Sequence, residues 1–375
     1  MKILIVGAGV AGITAGHILA EHGVDFEIFE ASVTYGGRVR KVDDFVDFPI
    51  DLGAEWIHQW ISAEPAVFSS LLKGTDPRFP TFTDKPRTFA KWQDGKLKNQ
   101  NWMRFFPMPT DYKFADATWF DALDTLVTNE LLDRCHFHTP ITHLEYGVDG
   151  VTVTTASGAT HVGGKVLVAI PIAMLQRGTI QFVPPLPEDK LAEIQKEEVP
   201  GGLKVFIEFS ERFYPDIVRV GGGLLSGGAL DECAYYNAAA GKNSTRHVLG
   251  LFTQGAKAER YTSHGTDDEL FAYVLAELDE IFDGKASEHY LKHIVQDWTR
   301  EPYIGGSYSQ RKASAKKLAE PVANRVFFAG EAMNPNSKTI AVHGASESAY
   351  SAVNAMLTSP DPCLLYTSPS PRDRG

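Results

Sequence analysis

The sequence predicts an α/β fold built on a parallel sheet, and three observations carry that prediction. Ile3-Leu4-Ile5-Val6 is an uninterrupted apolar run, as a strand buried on both faces requires. A glycine-rich turn, Gly7-Ala8-Gly9-Val10-Ala11-Gly12, follows it directly and opens a helical stretch from Val10 to His22. Asp25 to Glu30 then reads as a second strand that ends in an acid, which completes a β–α–β opening.

Later elements follow in order. The Asp94-Gly95 turn between Phe89–Trp92 and Lys96-Leu97 predicts a hairpin. Thr118 to Leu132 reads as one helix, with Phe120, Leu123, Leu126 and Leu131 along one side. Val151–Thr155 and Lys165–Ile170 read as strands, split by a turn at Ser157-Gly158. In Leu203–Phe209, Leu203, Val205, Ile207 and Phe209 take one face and Lys204, Phe206 and Glu208 the other. Thr266-Asp-Asp-Glu269 is a capping box for a helix to about Phe282, striped by Phe271, Val274, Leu275 and Leu278. Arg325–Ala329 is a further buried strand, and Gly344 to about Leu357 a final helix. Gly221–Gly223 and Gly227-Gly228 mark a loop.

Composition narrows the function. At 43% hydrophobic residues the chain is too apolar for disorder, and 375 residues suit two domains or one with a large insertion. Against 47 acids stand 36 basic residues, a net charge of −11, which argues against a general nucleic-acid or anionic-membrane binder. Three cysteines without CxxC spacing exclude a disulfide scaffold and a zinc site of that kind. No apolar run reaches the roughly 18 residues of a membrane span. The first strand starts at once, leaving no signal peptide, so a cytoplasmic location is expected and the sequon Asn243-Ser244-Thr245 idle. After Pro362 the Ser/Pro/Arg string to Gly375 fits no period and resembles translated adapter sequence; residues 359–375 are set aside as a disordered tail and a sequence artefact.

The chemistry starts at the turn. GxGxxG after a strand and at the head of a helix is a dinucleotide fingerprint: Gly7 turns tightly, Gly9 admits a pyrophosphate, and Gly12 lets the helix lie close to the strand. The helix N-terminus favours phosphate charge. Glu30, ending the second strand, is placed to accept from ribose hydroxyls. In Gly36-Gly37-Arg38, Arg38 can pair with the same pyrophosphate.

Five segments together resemble the flavin-containing amine oxidase family, which includes monoamine oxidases, polyamine oxidases and histone-lysine demethylases. They are GAGVAG with Glu30; GGR at 36–38; Asp51-Leu-Gly-Ala-Glu-Trp-Ile-His58; Trp298 to Tyr308; and Phe328-Ala-Gly-Glu331 with Val342-His-Gly-Ala345. Their order matches from residue 1 to about 357, and the polyamine oxidase branch is the nearer one. The resemblance implies a discontinuous Rossmann-like FAD-binding domain (1–62, 130–182 and 318–358) with an interleaved α+β substrate domain (63–129 and 183–317).

Within that resemblance Gly37, Arg38, Gly53, Ala54, Glu55 and Trp56 look like cofactor contacts; Phe137–Leu144 matches the family's middle segment as a strand, so Ile141 looks like the residue covering the adenine. Gly330-Glu331 looks like a second FAD fingerprint whose carboxylate binds ribityl hydroxyls. The helix after Val342 and Ala345 would turn its positive end to the flavin pyrimidine. Where monoamine oxidases bond a cysteine to the flavin, Pro302-Tyr-Ile-Gly-Gly-Ser307-Tyr308 carries serine, so the FAD is expected to be non-covalent. Lys204 resembles the family lysine that holds a water at flavin N5, a reading preferred over a strand lysine reaching solvent. Trp298 and Tyr308 resemble the aromatics beside the flavin, and Ala341 stands where a second aromatic cage residue often does, implying a roomier site. His58 lies where polyamine oxidases carry a histidine. Glu55 has two readings: attraction of a cation, or pairing with an arginine. His136 and His138 would alternate onto one strand face near His143, but no acid or thiol has ligand spacing, so no metal is expected.

The reaction implied is oxidation of a small primary or secondary amine, polyamine-like, to an imine and then an aldehyde, with O2 reduced to H2O2. Two alternatives stand beside it: a related FAD-dependent oxidoreductase or desaturase with a non-amine substrate, and an FAD-binding protein without activity.

Overall fold

A computed structural model describes residues 1–58, 68, 71, 75–100, 111–221, 233–335 and 340–359. The tail from 360 and most of the glycine loop after Gly221 lie outside the described residues.

Among the described residues, five parallel strands form one sheet in the order Val326–Phe328, Lys165–Val168, Ile3–Val6, Phe26–Phe29, Cys135–His136. The central strand Ile3–Val6 is buried throughout, which is why its sequence lacks the alternation of a half-exposed strand. One face of the sheet is covered by the helices Val10–Glu21 and Val342–Thr358, which also bond to each other through Thr14 and Ser346 (3.2 Å). The other face packs on a smaller sheet ordered Thr160–Gly163, Gly150–Thr155, Ile141–Gly147, Gln181–Val183.

A separate sheet of seven strands is ordered Tyr290–Asp297, Gly202–Phe209, His247–Gln254, Cys233–Asn237, Ile217–Val220, Phe89–Gln93, Lys96–Gln100. The expected hairpin supplies its last two strands, turning through Asp94 and Gly95 at φ 54° and 66°. The alternation in Gly202–Phe209 decides what each face meets. Leu203, Val205, Ile207 and Phe209 pack with helix Asp267–Phe282, whose Thr266–Glu269 capping box is formed in full. Phe206 points to the opposite face, among Tyr236, Trp298 and Trp56.

Three expectations about elements are corrected. Residues 118–132 form two short helices, Trp119–Asp124 and Asn129–Leu132, because Thr118 and Thr128 each cap a new N-terminus. The strand expected from Phe137 begins at Ile141: His138 takes φ 52° and Pro140 precedes the first ladder residue. The turn at Ser157-Gly158 closes a hairpin with Thr160–Gly163, a strand too short and polar to stand out in sequence. The last helix also starts at Val342, two residues ahead of Gly344.

Candidate active site

The phosphate turn is built as its glycines demand. A Cβ on Gly12 would lie 1.9 Å from the Gly7 carbonyl oxygen, so only glycine lets the helix start there. Gly7 has φ 101°, and nothing lies within 4 Å of a Cβ on Gly9, which leaves that side of the turn open. Glu30 accepts from the Ala8 and Ser32 amides, both at 2.7 Å, and so is locked against the turn. The Gly36-Gly37 loop docks on the same turn through Gly36 N–H to Ala8 C=O (2.9 Å).

That docking brings Arg38 to the C-terminal fingerprint. Arg38 Nη2 lies 2.8 Å from Glu331 Oε2, and Nη1 donates to the Ser307 carbonyl at 2.7 Å. Burial alone would raise the Glu331 carboxyl, but the guanidinium holds it below the usual range. Its second oxygen, Oε1, is buried with no hydrogen-bond partner among the described residues. An open glycine turn, a docked arginine and an acceptor lacking a protein donor fit a dinucleotide whose hydroxyls and phosphates would complete them. Residues Gly7, Gly9, Gly12, Glu30, Gly37, Arg38, Gly330 and Glu331 would hold it.

Gly53 and Ala54 continue this wall: a Cβ on Gly53 would sit 1.7 Å from the Arg38 carbonyl oxygen and 3.2 Å from the Trp298 ring. Trp298 is anchored by its indole N–H to Leu52 C=O (3.1 Å), with the Arg40 guanidinium over its ring. Tyr308 is half-buried just beyond Ser307. The Ser307 hydroxyl lies 3.1 Å from the Pro200 carbonyl and 3.3 Å from Gln254 Oε1. Ile141 is buried in the same core as Phe29. Val342 and Ala345 occupy the first turn of the last helix, behind Ala341, whose side chain offers no cap.

Lys204 is buried, and its ammonium donates to Glu55 Oε2 at 2.7 Å and to the Asp51 carbonyl at 3.2 Å. Among the described residues Glu55 therefore pairs with no arginine. It is shared between two lysines, the second being Lys113 at 2.9 Å, and it accepts from the Tyr236 hydroxyl at 2.5 Å. Lys113 also lies 3.6 Å from Asp84, which accepts from the Trp56 indole at 2.9 Å. Burial works to raise Glu55, yet the two ammoniums hold it well below the usual carboxylate range. Burial pulls Lys204 down against the opposing field of Glu55. Asp51, buried and facing the Glu55 charge, is pushed up to about 8.

His58 donates from Nδ1 to Asp111 Oδ1 at 2.7 Å. Burial, and then the field of His58, pushes His343 down to about 4, and among the described residues neither ring nitrogen of His343 has a partner. Sequence reasoning passed over His343, although it lies inside Val342-His-Gly-Ala345. It also missed Lys113, Tyr236, Asp84 and Asp111, which no motif marks. The histidine reading is corrected as well. His136 and His138 share no strand face; Glu27 supplies the acid that seemed missing, 3.9 Å from His136 Nε2 and 3.3 Å from His161 Nδ1, and Lys2 already neutralises it at 2.8 Å.

Comparison with known proteins decides the family. Residues 120–357 match the flavin containing amine oxidoreductase family, and residues 5–73 match the NAD(P)-binding Rossmann-like domain. The chain belongs to the flavin-containing amine oxidoreductases. It is 29% identical to human lysine-specific histone demethylase 2, over 89% of this chain and 50% of that one, and 32% identical to mouse lysine-specific histone demethylase 1B over 52% and 24%. The chain thus spans half or less of these demethylases. Rice polyamine oxidase 3 is 23% identical over 91% of this chain and 86% of its own. Wild-type putrescine oxidase bound to putrescine superposes with a TM-score of 0.74 at 15% identity, covering 96% of this chain and all of that one, which establishes a shared fold. The protein is accordingly an FAD-dependent oxidoreductase with a Rossmann-like nucleotide-binding fold. Among its described residues no helix is long and apolar enough to cross a membrane.

Proposed function

We propose that this protein oxidises a small polyamine-like primary or secondary amine to an imine, which hydrolyses to an aldehyde, while O2 becomes H2O2. The observation that carries the reading is the buried Lys204 ammonium, held over the Trp56 ring by Glu55 and the Asp51 carbonyl, the residues on either side of the Gly53-Ala54 wall. Bound FAD would supply the acceptor for the electron pair of the amine C–H bond and the route of that pair to O2.

The chain's own residues would do the rest. Lys204 and Lys113 flank the Glu55 carboxylate, with Asp84 3.6 Å from Lys113, so an amine entering on the Lys204 side meets an ammonium, which favours its neutral, reactive form. The rings of Trp56 and Trp298, which already carry the Lys113, Lys204 and Arg40 cations, would give the pocket an aromatic wall shaped for an alkylamine. Asp111 fixes His58 with Nδ1 protonated, which leaves Nε2 to accept from a distal ammonium of the substrate. Lys204 would position a water at the reacting face. Ile141, Val342 and Ala345 are assigned to the adenine and flavin walls, and the domain boundaries to the interleaved pattern above. No metal is assigned a role in this reading: Glu27, beside His136 and His161, is paired with Lys2.

Anaerobic titration of the purified holoprotein with polyamines and monoamines tests this. The flavin absorption should bleach with a polyamine, and admitting air should restore it with peroxide release. A flavin that photoreduces normally but bleaches with no amine would overturn the reading.

A further inference from the structure

The position of Glu55 calls for an explanation, because a buried carboxylate with two buried ammoniums is a costly arrangement unless each charge has a partner. The strand Gly202–Phe209 places Lys204 between Phe252 and Gln296 of its two neighbouring strands, neither of them ionisable. Of the ionisable groups near Lys204, Glu55, Asp51 and Lys113 come from outside this sheet and Tyr236 from its strand Cys233–Asn237. Glu55 contacts it directly, Asp51 and Lys113 act through space, and Tyr236 touches the same carboxylate oxygen. Behind Glu55 is a cavity of about 10 Å³, roughly one water in size, lined in part by Asp51, Lys113 and Lys242.

We propose that Glu55 is a positioning residue, whose carboxylate holds the Lys204 side chain in place and in its charged form, with Lys113 competing for that carboxylate and Tyr236 fixing its orientation. Both oxygens are committed, Oε1 to Lys113 and Oε2 to Lys204 and Tyr236, so the carboxylate cannot rotate without breaking a contact. The lysines are thereby linked with opposite sign. Losing Glu55 removes the anion that keeps Lys204 protonated, whereas losing Lys113 leaves Glu55 to Lys204 alone. The functional meaning rests on Lys204 lying at the flavin, as proposed above, but the clamp itself does not.

The test follows the lysine directly. The holoprotein is labelled with [ε-13C]lysine and titrated by NMR, with the Lys204 signal assigned by its loss in Lys204→Met. In Glu55→Gln the Lys204 titration should move to lower pH by about one unit or more. In Lys113→Met it should move to higher pH. Opposite shifts are a signature that a purely structural role would not produce. An unchanged Lys204 titration in Glu55→Gln, or a downward shift in Lys113→Met, overturns the clamp. If Glu55→Gln does not fold, the direction in Lys113→Met decides alone. The pH dependence of flavin reoxidation is read on the same samples. Should Lys204 shift as expected while reoxidation does not follow, the clamp stands and the flavin role of Lys204 falls.

Discussion

Lys204 shows how much a single side chain depends on its surroundings. In sequence it is one polar residue on an alternating strand; in the fold it is a buried cation on Glu55. Lys204→Met should slow flavin turnover about a hundredfold, as loss of a preorganised charge does, and stopped-flow reduction and reoxidation would separate the two half-reactions. Asp51 makes a prediction about pH. Its folded carboxyl, raised by burial and the Glu55 charge to about 8, binds a proton that the unfolded chain has lost by then. Its contribution to stability is therefore complete below about pH 4 and is lost as pH rises toward 8. Asp51→Asn should gain on the wild type as pH rises from 5 to 8, measured as urea-unfolding midpoints across that range. The Glu55 position itself was visible in the Gly-Ala-Glu-Trp motif, but its partner was not, since Lys113 is 58 positions away in sequence and carries no signature.

At the scale of elements, local signals served well wherever the chemistry is local. The Thr266 box caps helix Asp267–Phe282 as its spacing requires, and Thr266→Ala should lose about 1 kcal/mol, seen as a fall of about 2 °C in the thermal midpoint. Gly12→Ala would drive a Cβ into the Gly7 carbonyl, so the turn must shift and the purified protein should lose its flavin, as the ratio of visible to 280 nm absorbance would report. Elements were misjudged where two local preferences competed. A single apolar stripe ran across residues 118–132, yet a second threonine cap cut it: beyond Thr118, which caps the first helix through the Asp121 amide, Thr128 satisfies the Leu131 amide and starts a new one. At His136–Ile141 an apolar and histidine-rich run gave way to a turn before Pro140, which moved His138 off the strand.

For the whole molecule, the parallel sheet collects strands from residues 3–6, 26–29, 135–136, 165–168 and 326–328, and the last helix, Val342–Thr358, covers it beside the first. A chain stopped at residue 341 should expose the apolar face of helix Val10–Glu21 and appear in the insoluble fraction on expression. The flavin should leave the protein on acid precipitation, because Ser307 provides no thiolate and its hydroxyl is already engaged with Pro200 and Gln254. The sequence by itself determined the nucleotide turn, the order of the family segments and the serine at the linkage position, since each depends on short-range geometry: φ at a glycine, a Cβ that does not fit, an atom that is or is not sulfur. Only the tertiary structure decided which charges meet. Lys204, Glu55, Lys113 and Tyr236 come from separate stretches, as do Glu27, His136 and His161, and a charge pair is set by the few ångströms between side chains that only the packing of distant strands creates.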